Sequence, residues 1–203
     1  MIKPMLFSTD MVRAILEDRK TVTRRVVKPQ PDGRPVPMTK DSCWPGYFAI
    51  QGTEKVVRLP YQPGDILWVR ETWAEMPYGF VYRVDGEEPD GWDCDDRWRP
   101  SIHMPRGAAR IFLRVTGVRV ERLQEITEDG AKAEGAEKSY PYTDPETGKT
   151  VFVLDEKGTY RSGFSQIWDR TIKPKDRLSC CWESTPWVWV IEFERCEKPR
   201  GFV

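Results

Sequence analysis

Histidine is nearly missing from this sequence: His103 is the only one in 203 residues. It reads as a hydrogen-bonding group in a loop, and no catalytic role is assigned to it. Cysteine is sparse and oddly numbered, at Cys43, Cys94, Cys180, Cys181 and Cys196, with no C-x-x-C pair. That pattern does not describe a disulfide framework and points to free thiols in a reducing compartment. Cys94, His103, Cys180 and Cys181 could supply four zinc ligands, but adjacent cysteines chelate poorly, so no metal and no cofactor is expected. Neither sign of charge dominates: 32 basic residues balance 32 acidic ones. A protein that coats nucleic acid in bulk needs a broad basic surface, and this balance argues against one, leaving room for a local basic patch. No apolar run approaches the length of a membrane span, and residues 1–11 lack the apolar stretch of a secretory signal. The expectation is a cytoplasmic protein with no membrane partner. Repeats and low-complexity tracts are also missing.

Tryptophan is what the chain has in excess, nine residues in all. The indole packs well but carries an N–H that needs a partner, so tryptophan suits cores with polar edges and ligand pockets. Residues 8–18 read as a short helix capped by Ser8, Thr9 or Asp10, with Val12, Ile15 and Leu16 on one face. A basic turn, Arg19 to Arg25, follows it, and Pro/Gly-rich residues 28–46 read as loop. Ile66–Trp73 is a strand buried on both faces at first, and residues 79–84 are another. Residues 85–105 read as a long ordered loop. Residues 110–122 alternate as a strand whose inward phase moves from Ile111, Leu113 and Val115 to Val118 and Val120 after Gly117. A one-residue phase shift at a glycine predicts a bulge or bend. Thr127 caps a short helix that Gly135 stops. Residues 137–160 read as a polar insertion with turns at Asp144-Pro145 and Thr147-Gly148. Ser162 is expected to cap a further helix carrying Phe164, Ile167, Trp168 and Ile172. Trp187–Glu194 closes the chain as a strand with Trp187, Trp189, Ile191 and Phe193 inward. The sum is α+β, strand-rich, in one domain.

Several blocks resemble one family. Lys3 to Ser8, the helix after it, and Asp18-Arg19-Lys20-Thr21-Val22-Thr23-Arg24-Arg25 are similar to the opening of ASCH proteins. Gly64 to Trp73 resembles their G-D-x-L-x-V-R-E-x-W strand. Trp98 to Pro105, Ile126 to Gly135 and Trp187 to Phe193 resemble a longer branch found in phages and prophages. The resemblance implies a PUA-like small β-barrel with flanking short helices, in a single domain of residues 1–203 with insertions near 28–62, 76–105 and 137–160. Small members of the family deacetylate N4-acetylcytidine, and others are described as RNA-binding or RNA-cleaving. Their catalytic lysine, threonine and glutamate fall on Lys20, Thr23 and Glu134. This chain is considerably longer, and its insertions bear on what the pocket accepts.

Amide hydrolysis needs a nucleophile, a base, and a proton for the leaving amine. A threonine hydroxyl is inert at neutral pH until a neighbour takes its proton, and Lys20 stands three residues before Thr23. To act as base, Lys20 needs a desolvated or cation-rich place, which Arg19, Arg24 and Arg25 could provide. Glu134 would exchange a proton with the leaving nitrogen. The plain alternative is a solvated basic turn complementing a helix end. Arg25 and Arg70 are candidates for a phosphate or base carbonyl, and Trp73 and Trp98 for stacking on a base. The expected ligand is a nucleoside or RNA, with protein partners unknown. Two functions follow: an amidohydrolase acting on an N4-acylated cytidine-type substrate, or a non-catalytic PUA-like reader of RNA or modified bases, as a phage accessory protein. A third, weaker reading is an accessory protein that binds a host protein.

Overall fold

The structure, a computed structural model, describes residues 1–38, 46–86, 88–89, 91–93, 97–145 and 147–202. The strands in chain order are β1 (Ile2–Leu6), β2 (Val22–Val26), β3 (Pro35–Pro37), β4 (Tyr47–Ile50), β5 (Val56–Arg58), β6 (Ile66–Arg70), β7 (Trp73–Met76), β8 (Gly79–Tyr82), β9 (Phe112–Arg122), β10 (Ser139–Thr143), β11 (Thr150–Leu154) and β12 (Trp187–Cys196). The helices are α1 (Thr9–Leu16), α2 (Glu128–Ala133), α3 (Tyr160–Thr171) and α4 (Arg177–Cys180). The chain is therefore mixed α+β, mostly strands with short helices.

The centre is a five-stranded sheet in the order β1-β6-β9-β12-β2. β1 pairs with β6 in parallel, and the other neighbours are antiparallel. β12 holds the sheet together because both its faces are apolar. Trp187, Trp189, Ile191 and Phe193 enter the main core with Leu67, Val69, Leu113 and Val115. Val188 and Val190 enter a second core with Phe164 and Trp168 of α3. Each such side chain contributes on the order of 1.5–3 kcal/mol by leaving water. In β9 the register slips as expected: Glu192 faces Gly117 while Phe193 faces Val115, which leaves Thr116 as the extra residue. A bulge turns Leu113 and Val115 before it, and Val118 and Val120 after it, toward the same core.

A barrel was expected, and the hydrogen-bonded ladder is not closed into one. β1 runs out at Leu6, where Ser8 caps α1 and leads the chain away. The two edge strands meet through a side chain instead: Arg25 Nη2 on β2 donates to the Leu6 carbonyl at 2.9 Å. The sheet thus curls until its edges face one another without a backbone ladder between them.

Other expectations need correction. Residues 22–26 form β2 rather than a turn. The segment read as loop at 28–46 contributes β3, which joins β4 and β5 in a small sheet. The polar insertion is the hairpin β10–β11, whose register pairs Tyr140 with Val153 and Tyr142 with Val151. The strand expected through Trp73 breaks after Arg70, and Trp73 opens β7, paired with β8. Thr159, not Ser162, caps α3. Leu16 is exposed, and the buried face of α1 is Val12, Ala14 and Ile15.

Candidate functional site

Three segments meet at the free edge of β2. The turn after α1 is tied to the end of α2 by a backbone bridge between Lys20 and Glu134, and Thr21 N–H donates to the Ala133 carbonyl at 2.9 Å. Gly135 makes this approach feasible. It sits at φ +81°, and a Cβ there would lie 2.7 Å from that of Ala14 and 3.2 Å from that of Lys20. Only a glycine holds that backbone without strain or a clash.

The bridge brings two opposite charges together out of water. Lys20 and Glu134 are each 3 % exposed. Lys20 Nζ donates to Glu134 Oε2 at 2.5 Å, to the Glu134 carbonyl at 2.8 Å and to the Val22 carbonyl at 2.8 Å. An ammonium has three N–H groups, and all three are used. Burial pushes Lys20 below the ordinary lysine value, Glu134 pushes it back up, and Arg25 and Arg24 push it down. The other oxygen of Glu134 accepts from Arg24 Nη1 at 3.2 Å. Arg24 Nε and Nη2 in turn hold Glu121 Oε1 at 3.0 and 2.7 Å.

Thr23 lies opposite Ile191 in the register and is 1 % exposed. Arg25, two residues on along β2, lies with its guanidinium 5.3 Å from the Phe7 ring centroid, and Lys20 Nζ is 5.9 Å from the same ring. Burial pushes Arg25 down, while Glu134 and Tyr61 push it up. Phe7 and Tyr61 therefore belong to this neighbourhood and were not picked out from the sequence, while Arg24 was expected only as a nearby positive charge. Arg24 had a signal: alternation along a strand puts neighbours on opposite faces, so a strand reading of residues 22–26 separates Arg24 from Thr23 and Arg25.

Arg70, Trp73 and Trp98 go elsewhere. Arg70 is the register partner of Leu6, but its side chain covers Trp68 and donates to the Ile102 carbonyl. Trp73 is 3 % exposed, packed with Met104 and Ala108 and lidded by Arg99. That enclosure leaves no free face for a base. Trp98 is half-buried against Trp92, with ring centroids 4.9 Å apart, and Arg83 lies over it. His103 is exposed in a short turn. Of the four zinc candidates, Cys94 lies outside the described residues. Among the described residues no three His, Cys, Asp or Glu side chains are grouped to hold a metal ion.

Two clefts, of about 770 and 620 Å³, flank the outer side of the Lys20–Glu134 bridge. Arg19, Glu137 and Leu154 line both, and neither is lined by Lys20, Thr23 or Glu134. No described helix is long and apolar enough to cross a membrane.

Fold and site together define a mixed α+β protein with a buried, multiply hydrogen-bonded ion cluster at the edge of a curled sheet. Comparison with family models, curated proteins and solved structures gave no match.

Proposed function

We propose that this chain is a PUA-like protein of the ASCH kind that takes a nucleobase, nucleoside or RNA element, and that Lys20, Thr23 and Glu134 hydrolyse an N4-acylated cytidine-type amide. One observation carries the reading: a buried ammonium–carboxylate pair, Lys20 with Glu134, and a buried threonine three residues on from the lysine. In this mechanism Thr23 Oγ1 attacks the acyl carbon and Lys20, as the free amine, takes the hydroxyl proton. The tetrahedral intermediate collapses, the C–N bond breaks, and the proton passes from Lys20 to the leaving nitrogen. Water then cleaves the acyl-threonine. Glu134, which contacts both Lys20 and Arg24, balances the transient ammonium rather than exchanging a proton with the leaving nitrogen.

A second reading, a non-catalytic reader, has its own support. All three N–H groups of Lys20 are committed, so one bond must be given up before the amine can act as a base, and the clefts described above exclude the trio. In that reading Arg25 holds the ligand.

Incubation with a panel of acylated nucleosides and acylated RNA, followed by mass spectrometry, separates the two. Deacylation by the wild type that Thr23→Ala abolishes supports the hydrolase. Binding without turnover, weakened by Arg25→Ala, supports the reader. Neither turnover nor binding removes both.

A further inference from the structure

We propose that Arg24 is a positioning residue that governs, through Glu134, how readily Lys20 gives up its proton. The inference rests on the reading of Lys20 as a base, but it has a readout that does not require turnover.

Arg24 is an unusual place for a charge. It occupies the helix-side face of β2, beside Val22 and Val26, with its guanidinium 5.8 Å from the Phe164 ring centroid and its side chain 2 % exposed. A guanidinium so enclosed needs partners on its nitrogens. It finds Glu121 of β9 on two of them and Glu134 on the third. Its partner Glu134 is the same carboxylate that meets Lys20. The carboxylate thus reaches round the edge of the strand and is shared between a cation on each side.

The sharing has a direction. The Lys20 ammonium faces Glu134 at the end of α2, Arg24 and Arg25 on β2, and the Phe7 ring after β1. Among the ionised groups of the described residues, only Glu134 favours the charged form. Arg24 weakens that hold twice, by occupying the second oxygen and by adding a positive charge nearby. Glu121 works against Arg24, since it neutralises the guanidinium from behind. Removing Arg24 therefore strengthens the grip of Glu134 on the Lys20 proton, and neutralising Glu121 loosens it. A purely structural Arg24 has no reason to move Lys20 in opposite senses in the two variants.

The test follows the Lys20 side chain itself. Protein carrying ¹³C-labelled lysine is titrated by NMR, with the Lys20 signal assigned by its loss in Lys20→Met. The expected result is a Lys20 midpoint raised by about one pH unit in Arg24→Met, near the wild type in Arg24→Lys, and lowered in Glu121→Gln. The pH–rate midpoint for deacylation should move in the same order. A folded Arg24→Met with an unmoved Lys20 midpoint overturns the proposal, as does a shift of the same sign in Arg24→Met and Glu121→Gln. Should Arg24→Met not fold, Glu121→Gln decides, and an unmoved midpoint there overturns it. Opposite shifts by NMR with no turnover by the wild type sustain the role of Arg24 and remove the hydrolase reading alone.

Discussion

Lys20 and Glu134 illustrate how one residue pair can serve two ends. Breaking a buried ion pair from one side leaves an uncompensated charge and costs about 3–5 kcal/mol. Glu134→Leu strands both Lys20 and Arg24, so it should lose at least that much in urea unfolding. The double variant Lys20→Met/Glu134→Leu should lose less than the sum of its parts, because it removes the stranded ammonium. Equal additivity would show that the two side chains do not act as a pair. Asp65 offers a residue-scale test by pH. Burial raises its pKa, but hydrogen bonds from Lys3, the amino-terminal nitrogen and Gln62 N–H outweigh this and hold it at about 2, below the ordinary 3.8. A carboxyl with a depressed folded value stabilises the fold above its unfolded pKa and loses that contribution as pH falls through the folded one. Wild-type stability should therefore decline between roughly pH 4 and pH 2, with Asp65→Asn less stable at neutral pH and flatter across that window. Urea midpoints collected from pH 2 to 6 provide the measurement.

At the scale of elements, α3 meets the base of the hairpin through a glycine. A Cβ on Gly163 would lie 1.8 Å from the Glu137 carbonyl oxygen. Alanine gains about 1 kcal/mol of helix propensity over glycine, but overpacking against backbone costs about 1–3 kcal/mol and has no flexible side chain to yield. Gly163→Ala should thus lower the melting temperature despite its better propensity. Legibility in the sequence followed the same division between local and distant causes. The bulge at Gly117, the inward face of β12 and the Thr127 cap were readable because alternation and capping chemistry lie within a few residues. β2 was not readable, because Thr23, Arg24 and Arg25 look like solvated turn until β12 supplies Ile191, Val190 and Trp189 opposite them. The hairpin was missed for a related reason. Its strands are mostly exposed on both faces, so neither shows the apolar alternation that marks a half-buried strand. Lys20 and Glu134 were named through resemblance; their contact depends on the Gly135 turn. Arg70 and Trp73 were placed by strand position, and the layer formed by residues 98–110 encloses them.

For the whole molecule, the body and the hairpin should separate in stability. Tyr142, Val151, Phe152 and Leu154 are exposed, while Ser139 at the base is fully buried. Replacing residues 141–152 with a short glycine-serine turn should leave the melting temperature of the body nearly unchanged by circular dichroism, and a collapse of the transition would mean that the hairpin is part of the core. Net charge also acts at this scale. With 32 charges of each sign, any RNA affinity must come from a local patch, so it should be weak and fall steeply with added salt in a titration at two ionic strengths. Finally, the strand order imposes a timetable on synthesis. β1 waits for β6, some sixty residues behind it, but β2 has a single neighbour in the sheet, β12, some 160 residues behind it. While the ribosome is still adding residues before Trp187, the segment carrying Thr23, Arg24 and Arg25 has nothing to pair with. The candidate site therefore does not exist until β12 has been made, and a nascent chain halted before β12 carries its residues without their arrangement.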